Sequence, residues 1–226
     1  ISADVADLAF RDLVRAFDSM HGGFGEAPKF PQSMPQEFLL RYHVRTGAPD
    51  AKAMVLHSLK KMAAGGIYDH LGGGFARYST DERWLVPHFE KMLYDNALLA
   101  LAYLQAYQMT NQARVRDVTV ETLDYLLRDL RHSEGGLFSS QDADSEGVEG
   151  KFYIWTPDQL DATLAKGDAA ALKEIQIPGH LRRSALMAGS AVMFKGEVFA
   201  GASQSGLGFV QDEQHAPLAR LFLQAM

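Results

Sequence analysis

The stretch Ala97-Leu98-Leu99-Ala100-Leu101-Ala102-Tyr103-Leu104 is apolar on every side, and a helix through it must be buried all round. Its spacing predicts one helix over about Pro87 to Met109. The next predicted helix, about Gln112 to Arg131, is amphipathic. Val115, Val118, Leu123, Leu126, Leu127 and Leu130 share one face, while Arg114, Arg116, Asp117, Glu121, Asp124 and Arg128 largely take the other. A fully buried helix followed by a half-exposed one is what the inner and outer helices of an α/α toroid require.

Working outward, a double glycine followed by a large apolar residue recurs at Gly22-Gly23-Phe24, Gly65-Gly66-Ile67, Gly73-Gly74-Phe75 and Gly135-Gly136-Leu137. Glycine tolerates positive φ and suits the position just past a helix end. Repeated helix, glycine stop and loop points to stacked helical hairpins. Further helices are predicted over about Asp4 to Met20, Ser33 to Arg45 and Ala51 to Ala64. The second opens on a capping box, Ser33-Met34-Pro35-Gln36, and closes at Gly47. Phe75 to Ser79 and Trp84 to Val86 flank an acidic turn, and Leu137 to Ser140 and Lys151 to Trp155 flank a longer acidic loop. Both read as β-hairpins on one rim. Beyond them, a helix is expected from Thr156 to about Ile175, a strand pair over Val192 to Ala200, and a short helix over Leu218 to Met226. The fold class is therefore all-α: an incomplete (α/α) toroid of stacked helical hairpins carrying short β-hairpins. Residues 1–160 form the toroid portion, and residues 161–226 a divergent continuation of the same domain.

Composition sets outer bounds. The 226 residues are 47% hydrophobic, ample for a core. A net charge of −6 without any Lys/Arg run argues against a nucleic-acid partner. The chain has no cysteine, so disulfides, thiolate zinc sites and cysteine nucleophiles are excluded; this fits a cytoplasmic protein. No apolar run reaches the roughly 18 residues that span a bilayer, so no membrane partner is expected. The chain opens on Ile1, as a fragment of a longer polypeptide would.

The strongest chemical candidate is Trp84-Leu-Val-Pro-His88-Phe-Glu90-Lys91-Met-Leu-Tyr94-Asp95. At about 100° per residue, His88, Lys91 and Asp95 fall on one face of the helix start, and Glu90 and Tyr94 form a neighbouring stripe. Ionisable groups at the entrance of an apolar helix cost desolvation energy. One reading is a site at the toroid opening with carboxylates for acid/base work. The plainer one is a solvated first turn, with Lys91 pairing Asp95 and Glu90 complementing the helix dipole. Asp69-His70 precedes Gly72-Gly73-Gly74, where backbone can approach a ligand closely; a hydrogen-bonded turn explains it equally well. Asp142, Asp144 and Glu146 with Gly147 imitate the opening of a calcium loop, but Tyr153 holds the twelfth position, so no metal is expected. These acids either reach a polar ligand such as a sugar or tip a solvated hairpin. Tyr153 and Trp155 would share one strand face, stacking on sugar rings or packing on the rim. Glu90 or Asp95 with Asp142 or Asp144 could form a glycosidase pair, which needs a separation of about 5–9.5 Å. A proton-transfer isomerase would use His70 and His88. Neither chemistry requires an organic cofactor.

Gly23-Phe24-Gly25-Glu-Ala-Pro28-Lys29-Phe30-Pro31, Gly66-Ile67-Tyr68-Asp69-His70-Leu71-Gly72-Gly73-Gly74-Phe75, Asp81-Glu82-Arg83-Trp84 through Asp95, and Asp142-Ala-Asp144-Ser-Glu146-Gly147 through Trp155 closely resemble the spermatogenesis-associated, thioredoxin-domain-containing family. The resemblance covers about Ala16 to Gln159. It implies a thioredoxin-like domain followed by a toroid similar to six-hairpin glycosidases and N-acylglucosamine 2-epimerases. The thioredoxin-like part and its redox cysteines are absent here. The family's continuation fades after about Ala162, and the length suits about three hairpins plus a remnant. No catalytic role transfers with the resemblance. The polar cluster opening the apolar helix motivates a first reading, a carbohydrate-active toroid, either hydrolase or epimerase, with a site built from Asp69, His70, Trp84, His88, Glu90, Tyr94, Asp95, Asp142 and Asp144. The alternative is a non-catalytic scaffold serving a thioredoxin-like domain. Expected partners are a small sugar-like ligand, that domain, or a second copy in a homodimer.

Overall fold

The computed structural model describes residues 3–154 together with Gln159 and Ala162. The readings over Thr156 to Ile175, Val192 to Ala200 and Leu218 to Met226, and the 161–226 continuation, lie outside the described residues. Among the described residues five helices carry the fold: α1 Ala3–Ala16, α2 Ser33–Thr46, α3 Pro49–Ala64, α4 Leu93–Thr110 and α5 Ala113–Asp129. Short links, Gly47-Ala48 and Asn111-Gln112, fold α2 back on α3 and α4 back on α5. Helix α2 packs beside α4, with α1 and α3 against α2 and α5 against α4. Leu39, Leu40, Val55, Leu59, Met62, Leu99, Tyr103, Ala106 and Val118 fill one core between them. The tyrosine inside the apolar stretch is accommodated because its hydroxyl donates to the Leu59 carbonyl at 2.7 Å.

The glycine pairs do something other than end helices. Helix α1 stops at Ala16, α3 at Ala64 and α5 at Asp129, and each then enters a small antiparallel loop. Isolated bridges close these loops at Phe17–Phe24, Tyr68–Phe75 and Arg131–Leu137. The Asp18 N–H donates to Gly23 O at 3.0 Å, Asp69 N–H to Gly74 O at 2.9 Å and His132 N–H to Gly136 O at 3.2 Å, so one loop is built three times. Gly73 and Gly74 sit at φ +75° and +80°. A Cβ on Gly74 would lie 2.5 Å from the Tyr125 ring, and one on Gly73 would strike the Glu121 carbonyl, so glycine is needed there for space as well as for φ. Gly65 does follow α3 directly but with an extended φ of −91°, and its bare Cα leaves room for Trp84.

Three two-stranded ribbons join the loops along one rim. They are β1 Tyr78–Ser79 with β2 Pro87–His88, β3 Lys91–Met92 with β4 Ser140–Gln141, and β5 Asp144–Ser145 with β6 Val148–Glu149. The predicted partners differ. Trp84 cannot continue a strand, because it takes φ +67° and its carbonyl accepts from Ile67 N–H at 3.0 Å. The Leu137–Ser140 and Lys151–Trp155 pairing does not form: Ser140 and Gln141 pair with β3, and Lys151 to Tyr153 make a turn. The long helix expected from Pro87 starts only at Leu93. Residues 87–92 are extended because neighbouring loops claim their backbone, β1 through Pro87 and His88, Arg77 N–H through Glu90 O at 2.7 Å, and β4 through Lys91 and Met92. His88, Lys91 and Asp95 therefore do not share a helix face. Nor does Ser33 cap α2: Gln32 precedes the helix at φ 45° and no side-chain cap forms.

Candidate functional site

Helix α4 opens at this rim, and its first turn meets the ribbon residues there. Asn96 fixes the junction. Its amide nitrogen donates to Phe75 O at 3.0 Å and Met92 O at 2.9 Å, and its oxygen accepts from Phe75 N–H at 2.6 Å. With the glycine loop pinned to α4, the strand that follows Phe75 carries Arg77 alongside Glu90. The Arg77 guanidinium donates to Glu90 Oε2 at 2.8 Å, and Nε2 of His88 lies 3.9 Å from the same oxygen. On its other side, His88 Nδ1 is 2.7 Å from Glu149 Oε1, and the ring stacks on Tyr78 at 4.8 Å.

Asp95 stands beside this group on α4. Burial pushes its carboxyl up to about 6; the Arg77 charge and the Tyr94 hydroxyl oppose the rise and the Glu90 carboxylate adds to it. Its Oδ2 is buried with no hydrogen-bond partner among the described residues, and the Nε of Arg77 is likewise buried and unpaired. Tyr94, half exposed, flanks Asp95. The result is a set of donors and acceptors with unused capacity: a guanidinium, two carboxyls, an imidazole and an exposed phenol ring.

Other predicted site residues are placed elsewhere. Trp84 is fully buried, and its indole N–H donates to His21 O at 2.8 Å, so it cannot stack on a ligand at the rim. Asp69 is a structural anchor. Its Oδ1 accepts from Leu71 and Gly72 N–H at 3.0 and 2.8 Å, and its Oδ2 accepts from Lys91 Nζ at 2.8 Å. Lys91 also donates to Gly73 O at 2.9 Å and lies 4.4 Å from the Tyr125 ring centroid and 5.1 Å from that of Tyr153. Burial raises the Asp69 carboxyl, but the Lys91 ammonium and the two N–H donors outweigh it and hold the carboxyl below its ordinary value. Lys91 thus pairs with Asp69, and the expected Lys91–Asp95 pair is not made. Asp18 and Lys29 repeat this anchor in the first loop, 2.5 Å apart.

His70 faces Gly65 O at 3.0 Å and stands edge-on to Tyr68. Burial lowers its pKa, and the groups it meets, Gly65 O and the Tyr68 ring, are not those that hold His88. Asp142 and Asp144 are exposed, and Asp142 Oδ1 accepts from Asp144 N–H at 3.0 Å, turning the chain into the small ribbon. The hairpin residue that touches the group around His88 is Glu149. Tyr153 stacks on Phe89 at 5.4 Å instead of facing a strand, and Trp155 lies outside the described residues. Sequence reasoning missed Arg77 and Glu149. Arg77 lies two residues after Phe75 of the Gly-Gly-Phe loop, a register that the repeat itself makes visible; Glu149 stood among acids that looked alike.

With this geometry in place, comparison with known proteins is informative. Over 173 residues, 72% of its length, the chain is 44% identical to human spermatogenesis-associated protein 20. Over that span it belongs to this protein's family. The rat protein matches equally well, at 44%, and an uncharacterized Caenorhabditis elegans protein is 37% identical over 176 residues. The matched stretch makes up 22% of the human relative. No protein-family model matches the chain. Among solved structures, a sugar epimerase from a ruminal bacterium superposes with a TM-score of 0.53 at 13% identity, covering 67% of this chain and 43% of that one. Cellobiose 2-epimerase from Bacillus thermoamylovorans gives 0.52 at 11% identity over 71% and 50%, and a D-mannose isomerase 0.51 at 15% over 84% and 52%. The fold is therefore that of an α/α toroid. Among the described residues no helix is long and apolar enough to cross a membrane.

Proposed function

We propose that the rim group Arg77, His88, Glu90, Tyr94 and Asp95 binds a sugar or sugar-like ligand and transfers protons on it. The observation that carries this reading is Asp95. Among the described residues its buried Oδ2 has no hydrogen-bond partner, and neither has the Nε of the neighbouring Arg77, at the opening of α4. Hydroxyl-rich ligands supply the donors and acceptors such groups lack. A carboxyl near 6 exchanges protons readily around neutral pH. The shared fold of sugar epimerases and an isomerase supports the ligand class. Between the two reactions, epimerisation fits better: Asp142 and Asp144 face solvent, so the second carboxyl of a glycosidase pair would have to be Glu90, which Arg77 holds. The cysteine-free composition suits a cytoplasmic setting.

The test is a thermal-shift panel of mono- and disaccharides on the full chain, followed by incubation of any stabilising sugar in deuterated water. Binding should survive Asp95→Asn, while deuterium wash-in beside the carbonyl falls at least about 100-fold. If no sugar stabilises the wild-type chain, the reading is wrong.

One observation favours a second reading. Phe138, Val148 and Phe152 are 51%, 55% and 74% exposed at the end of the described chain. An apolar surface of that kind suits burial by another part of a longer protein, such as a thioredoxin-like domain, or by a second copy. Light scattering on the chain alone and mixed with that domain separates these outcomes.

A further inference from the structure

Among the rim side chains, His88 is held from three directions. Its ring lies nearly parallel to Tyr78, at 16° and 4.8 Å between centroids. Its Nδ1 meets Glu149 Oε1 at 2.7 Å, and its Nε2 looks toward Glu90 at 3.9 Å. Glu149 comes from β6, and that ribbon is itself seated on the residue next to His88. Tyr153 stacks on the Phe89 ring, Gly150 packs against the same ring, and Gly150 N–H donates to Ala143 O at 2.9 Å. The carboxylate is thus delivered to one imidazole nitrogen by a built contact.

A neutral imidazole carries one proton, and the nitrogen that holds it is set by the bond the ring makes. Glu149 is an acceptor only. It selects the tautomer with the proton on Nδ1 and leaves a bare lone pair on Nε2. Free imidazole side chains in water favour the opposite tautomer, so this contact reverses the intrinsic preference. The bare nitrogen is the one on the side of Glu90 and, through Glu90, of Arg77.

We propose that Glu149 is a positioning residue that fixes the tautomer of His88, so that Nε2 is presented to the site as a hydrogen-bond acceptor for a ligand hydroxyl. The acidic ribbon then completes the site through Glu149, and not through Asp142 or Asp144. The role of that lone pair toward a sugar hydroxyl rests on the function proposed above; the tautomer itself does not.

The experiment is a long-range proton–nitrogen correlation spectrum of the histidine side chains in the labelled full chain, at a pH where the rings are neutral, with His88 assigned by loss of its signals in His88→Gln. In the wild type, His88 should show a protonated Nδ1 and an unprotonated Nε2. In Glu149→Ala the pattern should invert, while the contact between Phe89 and Tyr153, read from ring-to-ring Overhauser effects, persists. A wild-type ring protonated on Nε2 overturns the proposal without any variant. So does an unchanged tautomer in Glu149→Ala. Should that variant unseat the ribbon, Glu149→Asp, which keeps the carboxylate, must restore both the seat and the tautomer; a restored seat with Nε2 protonated also overturns it. A correct tautomer in a chain that binds no sugar would refute only the functional reading, and sugar binding with Nε2 protonated would refute only this one.

Discussion

Replacing Asp95 by Asn should stabilise the protein, and only above a defined pH. The carboxyl has an ordinary value of 3.8 and is pushed up to about 6 by burial. Because the folded-state value is the higher one, the folded protein holds a proton between those limits that the unfolded chain releases. Below 3.8 both states are protonated and Asp95 is neutral in its effect. As pH rises toward 6, stability is lost at about 1.4 kcal/mol per unit, and above 6 the loss is complete. The whole displacement corresponds to at most about 3 kcal/mol against folding at neutral pH, and solvent screening at this half-buried carboxyl reduces it to about 2 kcal/mol. Asparagine has nearly the same shape and never ionises. Urea unfolding of both proteins across this range should give equal stabilities near pH 4 and an advantage of about 2 kcal/mol for the variant at pH 7. In thermal unfolding the same gap should raise the melting temperature by roughly 4–8 °C. A variant that is no more stable than wild type at pH 7, or one whose advantage does not change with pH, refutes the argument that a half-buried carboxylate with one unpartnered oxygen is held there at a cost to folding.

Other expectations follow from the anchors beneath the site. Lys91→Met strands the buried Asp69 carboxylate and should cost about 3–5 kcal/mol, whereas the double variant with Asp69→Asn should cost less than the sum of the singles, as a double-mutant cycle would measure. Gly74→Ala combines a strained φ with a collision against Tyr125 and should destabilise by more than about 2 kcal/mol in urea titration. Gly25→Ala, with a similar φ of +80° and open space around it, should cost only about 1 kcal/mol. Asp18 and Asp69 are both held below the ordinary carboxylate value of 3.8, so their stabilising contribution is intact above that pH and is lost as pH falls through their lower folded values; acid unfolding should steepen there and soften in Asp69→Asn.

Helix periodicity made α2 to α5 legible, because apolar spacing and the glycine after α2 are local signals. The all-round apolar character of Ala97 to Leu104 placed α4 inside, and its buried Leu99, Ala100, Ala102, Tyr103 and Leu104 agree. Where α4 begins was not legible. The backbone of residues 87–92 is claimed by partners up to about fifty residues away in sequence, such as Ser140 and Gln141, and no window of local pattern contains that information. The glycine pairs were visible as a repeat, yet their meaning as three copies of one bridged loop required the pairing of Phe17 with Phe24 and Tyr68 with Phe75. For the site, His88, Glu90, Tyr94 and Asp95 were legible as ionisable or aromatic groups beside an apolar rod. Sequence could not separate Lys91 from them, since its inward course depends on Asp69. Nor could it rank Glu149 above Asp142 and Asp144, because only the ribbon register brings one of the three to His88.

The measurement that bears most directly on the central claim is a residue-resolved NMR titration of the full chain with reducing mono- and disaccharides. Shift changes that saturate and that cluster on Arg77, His88, Tyr94 and Asp95 are the expected result. Saturable changes confined to other surfaces, or no saturable change with any sugar, would contradict a ligand site at the opening of α4.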